Sequence, residues 1–390
     1  MKNIIAVQML SSKSQSFGVF KQSVAALVNT GFNVKTITTA SQAAQLSDLK
    51  GVDALILKNN DEFNPSPSIY AIFKTQIKLF FKIIKMAQPG DVVYINSIYS
   101  VMPGFAAKIK KAKLIWHIDN AKQQPRLFSL FLKHVINKTA NQVIFASAAS
   151  KDQLGLKNNQ KQAIIYNTPT TEFIQQSAQL RNTNPTKKFT ALMISASHAK
   201  QSINNYFELA CRMPLIDFEL LLTDTTENAL SYMLSSARPA NLNVFIEDNN
   251  RPEFYKRANI FINPSPASEH SASADVNVLE AMYFGMPVIV PTAGGLKELI
   301  STGKHGLVVD GADITTIEKA LLELKTNQSL YNRVSAACLK QATLFNPALF
   351  SLQFTNLFKG ERAQPYANLI QLFGNSYLNK EISVFNTNLA

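Results

Sequence analysis

The chain has 390 residues, 46% of them hydrophobic and 17% charged, with two cysteines and a formal net charge of +13 at pH 7. Such a composition excludes a disordered chain and a disulfide-stapled small domain. The lack of any run near 18 uninterrupted apolar residues excludes a membrane-spanning helix. The length suits two domains with full cores, and the charge is lopsided: residues 1–150 hold 18 Lys/Arg against 6 Asp/Glu, a balance of +12. Charge confined to one domain indicates an anionic partner for it. No aromatic-basic RNA motif, zinc finger or DNA-reading helix pair is present, so a membrane surface or lipid phosphate explains the asymmetry better than nucleic acid. The opening MKNIIAVQML lacks a small-residue cleavage site and reads as a first strand, not a signal peptide. Cys211 and Cys338 have no metal-ligand spacing and read as reduced thiols of a cytosolic protein.

In chain order, a strand over Asn3 to Val7, a helix over Phe17 to Asn29 ended by Gly31, and a strand over Val34 to Thr38 come first. Apolar strands follow at Asp53 to Leu57, Asp91 to Ile95, Lys113 to His117, Gln142 to Ala146 and Ile164 onward. Between them, a helix from about Ser68 to Met86 carries Lys74, Lys78, Lys82 and Lys85 within an 80° arc at about 100° per residue. Ile72, Phe73, Ile77, Leu79, Phe80, Phe81, Ile83 and Ile84 are expected on the broad opposite side. That face is either an ordinary solvated stripe or, beside Lys108, Lys110, Lys111 and Lys113, an interfacial surface. A polar linker is predicted over 171–188, separating a first domain (1–170) from a second (189–345) that opens with strands at Phe189 to Ser195 and Phe218 to Thr223. The helix over Leu349 to Phe358 is expected to cross back to the first domain (346–360), and 361–390 is an unassigned extension.

The richest stretch runs from Arg257 to Asp310. A strand (Ile260 to Asn263), a Ser-rich loop, a helix opening near Asp275, a second buried strand (Pro287 to Val290) and a Gly294-Gly295 turn leading to a helix with Glu298 follow in order. Continuous apolar strands alternating with helices mean a parallel sheet covered on both faces, with ligands beyond the strand carboxyl ends. Helix amino ends there suit a diphosphate. The ordered elements Asn263-Pro264-Ser265, Leu279-Glu280-Ala281-Met282, Gly285-Met286-Pro287-Val288-Ile289, Gly294-Gly295-x-x-Glu298 and Gly306-Leu307-Val308-Val309 resemble the donor half of the retaining glycosyltransferase family 4. The resemblance implies an α/β protein of two Rossmann-like domains (the GT-B fold).

It also implies a donor, a UDP- or GDP-sugar, held without metal or other cofactor, and it assigns residues. Glu280 would bind the ribose hydroxyls, with Val278 beside it and Gly294 and Gly295 at the donor. Lys200 would meet the diphosphate, while Ser195 stands where the family has Arg, leaving His198 or helix N–H groups to compensate. The strict E-x7-E pair is absent because Ala272 lies eight positions before Glu280; Glu269 is the nearest acid, a site residue or a solvated loop carboxylate, with Ser271 and Ser273 as alternative sugar partners. His117, closing an apolar strand, either meets the donor sugar or is tied to a backbone carbonyl. Asp119 would lie on the acceptor side, and Ser16 and Gly18 in the first βα loop, where Ser16 is equally a plain helix cap.

The expected activity is hexose transfer to a lipid-linked saccharide at the cytoplasmic face of the inner membrane, in capsule, exopolysaccharide or lipopolysaccharide assembly. The lost Arg and displaced Glu keep open a catalytically silent subunit supporting a partner transferase. A sugar-nucleotide epimerase lacks its expected acidic and His residues.

Overall fold

A computed structural model describes residues 3–361, apart from 9–14, 58–68, 119–125, 158–160, 182–187, 224–228, 230, 233–237, 248–249, 268 and 270–274. The chain divides into two compact units, Met1–Tyr166 with Ala348–Tyr366, and Asn167–Pro347.

The first unit is a seven-stranded parallel sheet: β1 (Asn3–Val7), β2 (Asn33–Thr38), β3 (Val52–Ile56), β4 (Val92–Ile95), β5 (Lys113–Ile118), β6 (Gln142–Phe145) and β7 (Gln162–Ile164), in the order β3-β2-β1-β4-β5-β6-β7. Strands such as VVYI, and NIIAV after its opening Asn3, are apolar throughout because helices cover both sheet faces. Alternate residues divide between two cores. Ile5, Val7, Val93 and Trp116 point to one, under the Ile69–Met86, Val101–Ile109 and Arg126–Thr139 helices. Ile4, Ala6, Tyr94 and Ile115 point to the other. Into this second core the Pro347–Lys359 helix sends Phe350, Phe354, Leu357 and Phe358, so the last described helix does return to the first unit.

The second unit is a six-stranded parallel sheet: β8 (Thr190–Ser195), β9 (Asp217–Leu222), β10 (Leu242–Ile246), β11 (Ile260–Ile262), β12 (Val288–Pro291) and β13 (Gly306–Val309), ordered β10-β9-β8-β11-β12-β13. Gly285, at φ +70, closes the Val276–Tyr283 helix in the left-handed conformation that a side chain would strain, and so releases the chain into β12. At Gly306 a Cβ would stand 2.1 Å from the Val288 carbonyl oxygen, so only glycine lets β13 lie against β12.

Four expectations change. The predicted linker from 171 begins as a helix, Thr171–Leu180, capped by Thr170 and packed on the second unit through Phe173; the unit boundary lies at 166/167. Its Gln-rich composition hid a helix with one buried stripe. The first helix starts at Gln15, so Gly18 lies within its first turn and not in the preceding loop. Gly294-Gly295 leads into a single 3-10 turn, Leu296–Glu298, where a helix was expected. Phe73 and Phe81 are not on the buried side of the lysine helix: they are 60% and 63% exposed. Seven residues at 100° return Phe81 to within about 20° of Lys74, at the border of the lysine stripe.

Candidate functional site

Strand order in the second sheet reverses between β8 and β11, which lie side by side while their following segments diverge. This is the point at which open α/β sheets leave a crevice at their carboxyl ends. Ser195 closes β8; the turn that follows exposes His198 and opens the Lys200–Arg212 helix, with Lys200 exposed at its first position. No side chain of the helix's own N-cap, Ala199, can satisfy its free N–H groups.

Glu269 does so from the loop after β11. Its Oε1 accepts from the Gln201 N–H at 2.8 Å, and its Oε2 from the Ser202 N–H at 2.8 Å and the Ser202 hydroxyl at 2.6 Å. The structure thus joins two sequence-predicted residues, Glu269 and Lys200, at one helix end. It also gives Glu269 a holding role, since both its oxygens are engaged. One turn on, the Asn205 amide donates to the carbonyls of Pro264 and Gly311 at 3.0 Å each, tying the β11 and β13 loops to this helix. A Cβ at Gly311 would stand 2.0 Å from the Ser265 carbonyl oxygen, so those two loops are in direct contact.

Glu280 lies on the Val276–Tyr283 helix, which Asp275 caps through the Asn277 N–H at 3.0 Å. It is 7% exposed and belongs to a polar network that the sequence did not reveal. Arg251 grips Glu247 with two bonds, Nε to Oε1 at 2.7 Å and Nη2 to Oε2 at 2.8 Å. Its Nη1 reaches Asn277 Oδ1 at 3.0 Å and Glu280 Oε2 at 3.3 Å. The Tyr255 hydroxyl adds 2.8 Å to the same Glu280 oxygen. Burial raises the Glu280 carboxyl above its ordinary range, opposed by Arg251 and by the Tyr255 hydrogen bond. Burial alone would lower Arg251, but Glu280, Tyr255 and Glu247 hold it firmly charged. The i, i+4 spacing of Glu247, Arg251 and Tyr255 was the available signal.

The remaining predicted residues are scattered. Val278 is fully buried, so its side chain is core and not a ligand contact. The Ser195 hydroxyl turns to the Ala196 carbonyl at 3.3 Å. Gly294, at φ +80, and Gly295 form the turn beyond β12, at the same sheet edge. Gly18 is exposed on the first helix of the other unit. Asp119, Ser271, Ser273, the Ser16 side chain and the extension from 362 lie outside the described residues. His117 has no exposed surface: Nδ1 lies 2.8 Å from the Tyr94 hydroxyl, the ring packs on Phe354, and burial lowers its pKa to about 3. It is a core histidine in this structure, and a sugar cannot touch it without a shift of that packing. Among the described residues no three His, Cys, Asp or Glu side chains gather as a metal set.

Residues 175–341 match the family model described as Glycosyl transferases group 1. A curated relative, mannosylfructose-phosphate synthase of Agrobacterium fabrum, is 28% identical over 122 residues, 31% of this chain. The matched stretch spans about a quarter of that relative (26%). Among solved structures, Anabaena Alr3699/HepE in complex with UDP and glucose superposes with a TM-score of 0.73 at 13% identity, over 92% of this chain and 100% of that one. The sucrose-phosphate synthase of Thermosynechococcus elongatus gives 0.74 at 15%, over 92% and 99%. These likenesses establish the α/β fold of two Rossmann-like units, GT-B.

Proposed function

We propose that this chain, whose residues 175–341 are a glycosyl transferases group 1 domain on a GT-B fold, is a retaining glycosyltransferase moving a hexose from a nucleotide diphosphate sugar to an acceptor. The observation that carries this is the switch point between β8 and β11, where Lys200, the loop holding Glu269 and the Gly294-Gly295 turn share one sheet edge. The UDP and glucose held by the Anabaena neighbour support a UDP-sugar donor, with GDP as the alternative base. In this reading Lys200 and His198 meet the diphosphate. Glu280 offers the ribose its Oε1, since Arg251 and Tyr255 both contact Oε2. Glu269 fixes the loop under the donor and does not attack it. A retaining transfer on this fold lets the leaving phosphate help deprotonate the acceptor, so the reading asks for neither a protein base nor a metal.

The proposed acceptor is a lipid-linked saccharide of surface polysaccharide assembly, met at the cytoplasmic face of the inner membrane. Among the described residues no helix is long and apolar enough to cross a membrane. A catalytically silent subunit remains the second reading, favoured by Ser195 in place of a phosphate-binding Arg and by the full engagement of Glu269. Calorimetry with UDP, GDP and their sugars separates them: donor binding with transfer to a lipid-linked acceptor supports the enzyme, and the absence of nucleotide binding supports the subunit.

A further inference from the structure

Three neighbouring helices of the first unit, Ile69–Met86, Val101–Ile109 and Arg126–Thr139, contain eight Lys/Arg and no Asp or Glu in 41 residues. The Met102 N–H donates to the Gln76 side chain, joining the first helix to the second, and Lys108 Nζ donates to the Lys138 carbonyl, joining the second to the third. Their outer faces are not merely basic. Phe73, Phe81, Phe105, Ile109, Phe128, Leu130 and Phe131 are between 37% and 63% exposed, and Tyr99, just before the middle helix, is 37% exposed. Tyr99 stacks on Phe128 at 6.4 Å, and Phe128 on Phe131 at 6.3 Å, so part of this surface is a continuous aromatic strip. Phe81 borders the lysine stripe, about 20° from Lys74 around the helix.

A solvated Rossmann helix face carries charges of both signs and buries its rings. A surface of one sign with aromatic rings standing among the cations suits an environment that is apolar within and anionic at its boundary. A soluble acidic partner would satisfy the lysines but leave no reason for exposed rings on three helices.

We propose that this three-helix face docks on an anionic lipid bilayer, the lysines meeting lipid phosphates and Phe81, Phe105, Phe128 and Phe131 entering the acyl boundary. The inference deepens the reading of a membrane-side acceptor and rests on it only for purpose. The binding surface itself stands on the face described.

The test is co-sedimentation of the full chain with vesicles of phosphatidylcholine alone or with phosphatidylglycerol, at low and raised salt. Wild type should bind only the anionic vesicles, with a salt-sensitive part and a salt-resistant remainder. Lys74→Gln/Lys82→Gln/Lys85→Gln should weaken low-salt binding roughly hundred-fold, at about five-fold per lysine. Phe128→Ser/Phe131→Ser should remove the salt-resistant remainder, by about ten-fold or more per ring. Both variants should keep the fluorescence of buried Trp116, which reports that the first unit has folded. No wild-type binding to anionic vesicles overturns the inference, as does binding that the Phe variant leaves unchanged. So does concentration-dependent self-association through these rings, which would make the face a contact between copies. If vesicle binding holds while every nucleotide fails to bind, the docking surface stands and the transferase reading falls.

Discussion

His117 gives the sharpest quantitative test, because its burial decides whether it belongs to the core or to a site. Its ring is neutral when folded, with a pKa lowered to about 3 from an ordinary 6.5. In the unfolded chain it protonates near 6.5. Between those values the unfolded state binds the extra proton, so stability is lost as the pH falls through 6.5 and the loss saturates below about 3. The full gap of about 3.5 pH units corresponds to roughly 5 kcal/mol, and about 2 kcal/mol of it should be gone at pH 5. Other groups titrate in the same window, so the measured quantity is wild type minus His117→Gln. The amide retains a polar partner for the Tyr94 hydroxyl but never takes a proton. Trp116, the sole tryptophan and a neighbour in β5, makes denaturant melts by fluorescence specific to the first unit. The difference should shrink by about 2 kcal/mol from pH 7.5 to pH 5. A flat difference, or a ring proton signal of His117 titrating near 6.5, would refute the core assignment and return the ring to a solvent-reachable site.

Two further outcomes concern the second unit. Glu280→Gln should weaken nucleotide affinity about ten-fold or more if a charge-assisted bond to ribose is lost, and should also lower the stability of the second unit, since Arg251 loses one of its two carboxylates. Lost stability with unchanged nucleotide affinity, by calorimetry beside thermal melts, would leave Glu280 a purely structural acid. Lys200→Ala should reduce affinity for the diphosphate nucleotide while leaving the nucleoside unaffected, because its exposed side chain has no packing role to lose. Equal losses for both ligands would remove Lys200 from the diphosphate.

How much of this was legible depends on the range of the interaction. The strands were readable because a parallel strand covered on both faces must be apolar throughout, as VVYI is, and Gly285 and Gly306 mark local backbone demands. Asp275 as a helix cap was readable for the same reason, its partner being two residues away. Glu269 was not, because it bonds backbone N–H groups 67 and 68 residues distant, and backbone donors leave no trace in the residue type that carries them. Phe81 was misplaced because a broad apolar arc hides a single ring that belongs to the other side. The seven-residue spacing from Lys74 already places that ring beside the lysines, and its exposure agrees.

The two acids of the candidate site now separate what family resemblance had joined. Glu269 spends both oxygens on a helix that lacks a cap of its own, so its charge is already satisfied before any donor arrives. Glu280 concentrates its protein contacts on one oxygen and is held by an arginine that a second acid also neutralises. Three bonds to one helix end make Glu269 a positioning residue in the proposed reading, whereas the Glu280 bonds to Arg251 and Tyr255 both go to Oε2. Donor affinity should therefore follow Glu280, and the geometry of transfer should follow the loop that Glu269 fastens. Under the proposed function, the absence of a strict E-x7-E spacing should then change how the sugar is oriented more than whether the nucleotide binds.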